Sequence, residues 1–188
     1  ASHPYAAIVT ATAREAAADM DIPFIRFERK EVPLPEYDKL HHVSNEEEAA
    51  TLAGELGKVV YLTTGSKTMH VFAKSEALQD KEVWTRVLPT AEVLQMMEDL
   101  GVFPKHTIAM QGPFSYNMNK VMFQDTKAEV VVMKNSGLVG GSDTKLQAAI
   151  DLDVHVIVID RPPPAKGAGP ISTVEEFKTL WEDYDGLH

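Results

Sequence analysis

The sequence predicts an α/β protein: a parallel sheet with helices on both faces. Three observations predict it. Short apolar runs rich in Val and Ile recur along the chain, among them "VVYL", "VVVM" and "HVIVI". Stretches of good helix formers with helical spacing separate them. Loops of Gly, Ser, Thr and Asn directly follow several of the apolar runs. Strands that are apolar throughout, alternating with amphipathic helices, pair in parallel and are covered on both sides.

The elements follow in order. "ASHPYAAIVTATAREAAADMD" reads as a helix from its first residues, with Pro4 in the first turn and Ser2 or His3 as cap. Because no strand precedes that helix, the expectation is a C-terminal part of a longer protein. "IPFIRFERK", Ile22 to Lys30, suits a buried strand. Pro33 and Pro35 break regular structure and bias Val32 and Leu34 toward extended geometry, which places a boundary near residues 31–39. From there strand and helix alternate: strand "HHVS", helix Asn45 to Leu56, strand "KVVYLTTG", helix Met69 to Leu78, strand "VWTRVLP" and helix Ala91 to Leu100. The series continues with strand "HTIAMQG", helix Ser115 to Thr126, strand "EVVVMKN", helix Asp143 to Leu152 and strand "HVIVIDRP". Asn45 is a cap and Glu46 to Glu48 meet the positive end of the helix dipole, so this acidic run reads as a helix start and not a metal site. Pro162 to Pro164 stop the last strand, and a connector leads to a final helix, Val174 to Tyr184. The expected division is residues 1–38, 39–164 and 165–188.

Composition narrows the function. The 188 residues are 44% hydrophobic and 24% charged, enough for a sizeable core. There is no cysteine, hence no disulfide framework and no thiolate metal site, and no apolar run approaches the ~18 residues of a membrane span. These features suit a reducing cytosol. A net charge of −10 argues against a nucleic-acid partner, although a local basic pocket for a small anion remains compatible with it. Oligomeric state is not readable from these residues. No metal site is expected: His41 and His42 are adjacent, so on a strand they point to opposite faces, and His70, His106, His155 and His188 are scattered.

In open parallel sheets ligands bind beyond the carboxyl ends of the strands. The loops there are "TTGSKT" (Thr63 to Thr68), "QGPFS" (Gln111 to Ser115) and "KNSGLVGGSDTK" (Lys134 to Lys145), with "SHPY" at the start of the chain. Glycine lets a ligand approach the backbone, hydroxyls offer hydrogen bonds, and helix starts present free amide groups to anions. Each loop alone also reads as a plain turn. "GSKT" lacks the Walker spacing, and "GLVGG" is not the dinucleotide fingerprint. Lys67, Arg86, Lys134, Lys145 and Arg161 lie at or near strand ends, where they would partner a carboxylate- or phosphate-rich ligand.

In this order, "ASHPYA", "LTTG", "GPFS", "KNSGLVGG", "TKLQAA" and "VIVIDRP" closely resemble the precorrin-6A reductase family, over roughly Ala1 to Pro162. The resemblance implies two Rossmann-like units, of which the first would be represented here by a remnant. It implies NADPH-dependent reduction of precorrin-6A, or its cobalt form, to precorrin-6B in cobalamin synthesis. The substrate would be a small corrin precursor carrying many carboxylates. On the resemblance, Thr64, Gly65, Lys67, Gly112 and Ser115 would contact the cofactor, and His3, Tyr5, Arg86, Lys134, Ser136, Gly140, Gly141 and Lys145 the substrate. His3 and Lys134 are candidate proton donors beside water. Two departures stand out: Asn117 and Asn135 replace acidic residues frequent in the family and remove negative charge from the rim. The competing readings are a non-catalytic tetrapyrrole- or nucleotide-binding module and a non-redox tetrapyrrole enzyme of the uroporphyrinogen synthase type.

Overall fold

The computed structural model describes residues 5–28, 30, 32–137, 140–161 and 170–185. The chain divides into two compact units, Val32–Asp160 and the combination of Ala1–Glu31 with Arg161–His188. In chain order the elements are α1 (Ala7–Asp19), β1 (Leu40–Val43), α2 (Glu46–Leu56), β2 (Val59–Leu62), α3 (Met69–Lys74) and β3 (Glu82–Val87). They continue with α4 (Ala91–Asp99), β4 (Thr107–Ala109), α5 (Tyr116–Asp125), β5 (Val130–Lys134), α6 (Ser142–Asp151), β6 (His155–Ile159) and α7 (Val174–Asp185).

The unit Val32–Asp160 is a six-stranded sheet in the order β1-β6-β5-β2-β3-β4, parallel throughout. Register sets side chains in rows across it: Tyr61 lies opposite Val131, and Val131 opposite Val156. Alternation along each strand then separates two cores. Val60, Leu62, Val130, Val132, Ile157 and Ile159 face α2, α3 and α4, where Ala49, Ala53, Met69, Phe72 and Met97 close over them. Tyr61, Val131, Met133, Val156 and Val158 face α5 and α6, with Met122, Phe123, Leu146, Ala148 and Ala149. The central strands β2, β5 and β6 are covered on both faces, which is why they are apolar along almost their whole length.

Local signals start the helices. Asn45 Oδ1 accepts from the Glu48 amide at 2.8 Å and caps α2, and the Glu48 carboxylate reaches back to accept from the Ser44 amide at 2.9 Å. Ser115 Oγ accepts from the Met118 amide at 3.2 Å and starts α5. The helix expected over Met69 to Leu78 stops at Lys74 and resumes as a 3₁₀ turn at Glu76–Leu78, because Ser75 is extended. The proline-punctuated stretch after residue 31 packs on the sheet. Leu34 and Tyr37 join the α5/α6 core, and the Tyr37 hydroxyl donates to the Val154 carbonyl at 2.9 Å.

In the other unit the strand expected over Ile22 to Lys30 is reduced to one parallel bridge, Phe27 to Ile171. Glu28 N donates to Ile171 O at 2.8 Å and Ile171 N to Arg26 O at 2.9 Å. An apolar run becomes a strand only where a ladder of partners exists, and the described residues of this unit supply a single rung. The helix expected at the start is α1, and its expected caps, Ser2 or His3 with Pro4, lie outside the described residues. A cavity of about 370 Å³ lies between α1 and the segment Phe24 to Phe27. Arg26 in its wall pairs with Glu28 at 2.5 Å.

Candidate functional site

The chain leaves β2 for α3 on one face of the sheet and leaves its neighbour β5 for α6 on the other. Where successive connections part to opposite faces, the loops diverge and open a crevice at the carboxyl ends. The loop after β2 begins under tight control: both the amide and the hydroxyl of Thr63 bond the Val132 carbonyl, at 2.9 and 3.0 Å. Thr64 Oγ1 then lies buried with no hydrogen-bond partner among the described residues, Gly65 follows, and Lys67 is exposed.

The loop after β5 is held by its own polar groups. Lys134 projects toward α2 and pairs with Glu46 at 2.6 Å, both side chains largely buried. Burial raises the Glu46 pKa, and the hydrogen bond and charge of Lys134 outweigh that and hold it below its usual 4.5. Asn135 Oδ1 accepts from the Val32 amide at 3.0 Å while its Nδ2 donates to the Val32 carbonyl at 2.8 Å. The Ser136 amide donates to Ser142 Oγ at 3.0 Å, and Ser142 Oγ in turn donates to the Lys134 carbonyl at 3.3 Å. A Cβ on Gly140 would stand 2.0 Å from Ser136 Oγ, so any side chain there would push Ser136 aside. Gly141 has φ +64° at the start of α6, a backbone state that L side chains rarely take.

On the α5/α6 side stands a second basic group. Arg86, 8% exposed, donates from Nη1 to Asn119 Oδ1 at 2.9 Å, and its guanidinium lies 3.8 Å above the centre of the Phe114 ring. Asn119 is fully buried and anchors the start of α5, its amide nitrogen donating to Ser115 O at 3.0 Å and Phe114 O at 3.3 Å. Thr144 on α6 donates to the same Phe114 carbonyl at 3.1 Å, tying the two helices together. Asn119 Nδ2 also lies 3.4 Å from Thr144 Oγ1, and the next residue of α6, Lys145, is 7% exposed. Burial, with the nearby Arg86 charge, lowers its pKa to about 8 against a small opposing pull from Asp143. Among the described residues, neither Arg86 nor Lys145 has a carboxylate within ion-pair distance. Lys145 makes no side-chain hydrogen bond to them either.

The residues singled out from sequence are therefore distributed as follows. Arg86 and Lys145 come together on one face. Lys134 stands on the other and is already neutralised. Ser136, Gly140 and Gly141 shape the loop between them. Thr64, Gly65 and Lys67 line the α3 side, and Ser115 spends its hydroxyl as an acceptor for its own helix. Gly112 sits in the exposed turn before α5. Tyr5 lies in the turn before α1 in the other unit, Arg161 lies 4.0 Å from Glu28 there, and His3 lies outside the described residues. Sequence reasoning missed Asn119 and Glu46. Asn119 shares the buried face of α5 with Met122 and Phe123, and a polar residue inside an apolar helical stripe is the signal that would have found it. His41 Nε2 and His155 Nδ1 lie 3.2 Å apart, and no group of three or more potential metal ligands forms among the described residues. Nor is any described helix long and apolar enough to cross a membrane.

Comparisons with known proteins point one way. The family model described as precorrin-6x reductase CbiJ/CobK matches residues 1–182. Cobalt-precorrin-6A reductase of Priestia megaterium is 40% identical over 177 residues, which is 94% of this chain and 69% of that protein. The cobalt-precorrin-6A reductases of Methanothermobacter thermautotrophicus and Salmonella typhimurium are 38% and 35% identical, matching 86% and 87% of this chain but 53% and 62% of their own lengths. The chain thus spans between about half and seven-tenths of these relatives. Among solved structures, CobK precorrin-6A reductase superposes with a TM-score of 0.76 at 26% identity, covering 96% of this chain and 70% of that one.

Proposed function

The chain belongs to the precorrin-6x reductase family, and on that premise we propose that it serves the NADPH-dependent reduction of precorrin-6A, or its cobalt form, to precorrin-6B. The observation that carries this reading is a pair of buried cations, Arg86 and Lys145, on the α5/α6 face of the sheet, that no described carboxylate neutralises. A substrate rich in carboxylates and a cofactor rich in phosphates are the ligands such a pair suits.

The residues present fit a nicotinamide dinucleotide. Thr64 offers a buried hydroxyl with no described partner, and Lys67 stands exposed beside Gly65. With Gly112 and Ser115 across the crevice, these are the cofactor contacts of this reading. Bound NADPH would supply the hydride. The protein's part is to align the two ligands and exclude water. For that, Arg86 held flat on Phe114 and bonded to Asn119 is a rigid anchor, and Ser136 on a loop closed by Gly140 and Gly141 is a fixed one. Lys145 completes the substrate set in this unit. Lys134 enters it as the partner of Glu46, so its role is to hold α2 against β5 and not to carry free charge. The reaction is read as cytoplasmic.

The test is an anaerobic assay of the full-length protein with precorrin-6A and NADPH. The expected outcome is substrate-dependent loss of reduced-nicotinamide absorbance, with a product two hydrogens heavier. No oxidation of NADPH, together with no protection of the protein against heat by NADPH, overturns the reading.

A further inference from the structure

We propose that Arg86 and Lys145 form a niche for one oxyanion, a carboxylate or phosphate group brought into the crevice by a ligand. The inference rests on the reductase reading only for the identity of the two ligands tested below.

Every hydrogen bond Arg86 makes to described residues comes from Nη1, to Asn119 Oδ1 and, at 3.5 Å, to Met122 Sδ. The guanidinium fork has five donors, so its other nitrogens are left for something else. Its plane is pinned by Phe114, which fixes the direction in which the fork points. Asn119, which holds Arg86, also reaches Thr144 Oγ1 at 3.4 Å, and the next residue along α6 is Lys145, 7% exposed. Two like charges removed from water and set beside each other destabilise the free protein, and an apolar side chain of equal length would avoid the penalty. The other face of the same crevice shows how this chain handles a lysine meant to be structural: Lys134 is given Glu46. The complement missing from the Arg86 and Lys145 pair is an anion, and the chemistry that fits a fork beside a point charge is a two-oxygen or three-oxygen acid group.

Proton linkage follows from the same geometry. The charges acting on Lys145 are Arg86 from β3 and Asp143 from its own helix; Tyr61 on β2 faces Arg86. An arriving oxyanion favours the ammonium form, so above about pH 8 binding takes up a proton and weakens as pH rises.

Isothermal titration of the chain and of Lys145→Met with NADP⁺, NAD⁺ and the tetrapyrrole polycarboxylate uroporphyrin tests the niche. For at least one probe, the variant is expected to bind about ten-fold or more weakly. Weaker NADP⁺ with unchanged NAD⁺ assigns the niche to the ribose phosphate, equal loss for both to the pyrophosphate, and loss for uroporphyrin alone to a substrate carboxylate. Lys145→Arg keeps the charge and is expected to retain binding, and Lys145→Met without ligand is expected to melt higher than the parent, which a merely structural lysine would not produce. Unchanged affinities for all three probes in Lys145→Met overturn the proposal, as does an affinity independent of pH between about 7 and about 9. Unchanged affinities with NADPH oxidation intact remove the niche and leave the reductase reading standing. The reverse result, weakened binding without turnover in the parent, does the opposite.

Discussion

Two lysines leave the same crevice on opposite faces of one sheet, and they have opposite fates. Lys134 ends β5 on the α2 side and finds Glu46 at 2.6 Å. Lys145, in the first turns of α6, has the Arg86 charge acting on it and no described acid within ion-pair distance. The first face is electrostatically closed and the second open. A rim that looks uniformly basic in sequence is thus one structural ion pair and one unneutralised pair of cations. Only the second has an electrostatic reason to hold a ligand.

The contrast can be broken most severely at Asn119. Asn119→Leu removes, at a fully buried position, the acceptor that holds Arg86 and the donor to two carbonyls at the start of α5. A loss of about 2–4 kcal/mol in urea unfolding is expected, and a loss under about 1 kcal/mol would show that Arg86 is held some other way. Lys145→Met works in the other direction. The folded state holds Lys145 at about 8 against an ordinary 10.5, so between these values the unfolded chain binds more protons and stability rises with pH. That rise is expected in thermal melts of the ligand-free parent and absent from the variant, whose gain at neutral pH is on the order of 1–3 kcal/mol. Asn135→Asp keeps size but sets a carboxylate oxygen against the Val32 carbonyl, at a cost of about 1–2 kcal/mol. Smallest is Glu46→Gln, expected to cost about 1 kcal/mol or less. Glu46, lowered in the fold, contributes stability that is present above its unfolded value near 4.5 and lost as pH falls through the folded one. The variant's acid unfolding limb should be correspondingly shallower.

Much of the architecture was legible because each apolar run also carried its own punctuation. "NEEE" holds both the cap Asn45 and the Glu48 that reaches back over the helix start, and "VVVMK" alternates its residues between two cores that each have a helix to meet them. Ile22 to Lys30 read as a strand on composition, yet a strand is a property of its neighbours, and there a single bridge replaced it. At the rim, residue types were readable and pairings were not. Nothing local says that Lys134 meets a residue at the start of α2 or that Lys145 approaches β3, since both facts depend on which helix covers which face. Asn135 is the sharpest case. Read in sequence as a carboxylate gone missing, it is the residue that the Val32 backbone requires, because that peptide presents a donor and an acceptor together and only an amide answers both.

The amide clamp on Val32 has a dynamic consequence. Asn135 precedes Ser136 in the loop that leads to α6, so a swing of that loop away from Val32 frees the Val32 N–H. A single backbone proton, far along the chain from the crevice, becomes a reporter of the loop's opening. Its exchange with deuterium would slow when a ligand braces the loop and quicken in Asn135→Asp, giving a readout of the site's motion that needs neither substrate turnover nor a probe attached to the site itself.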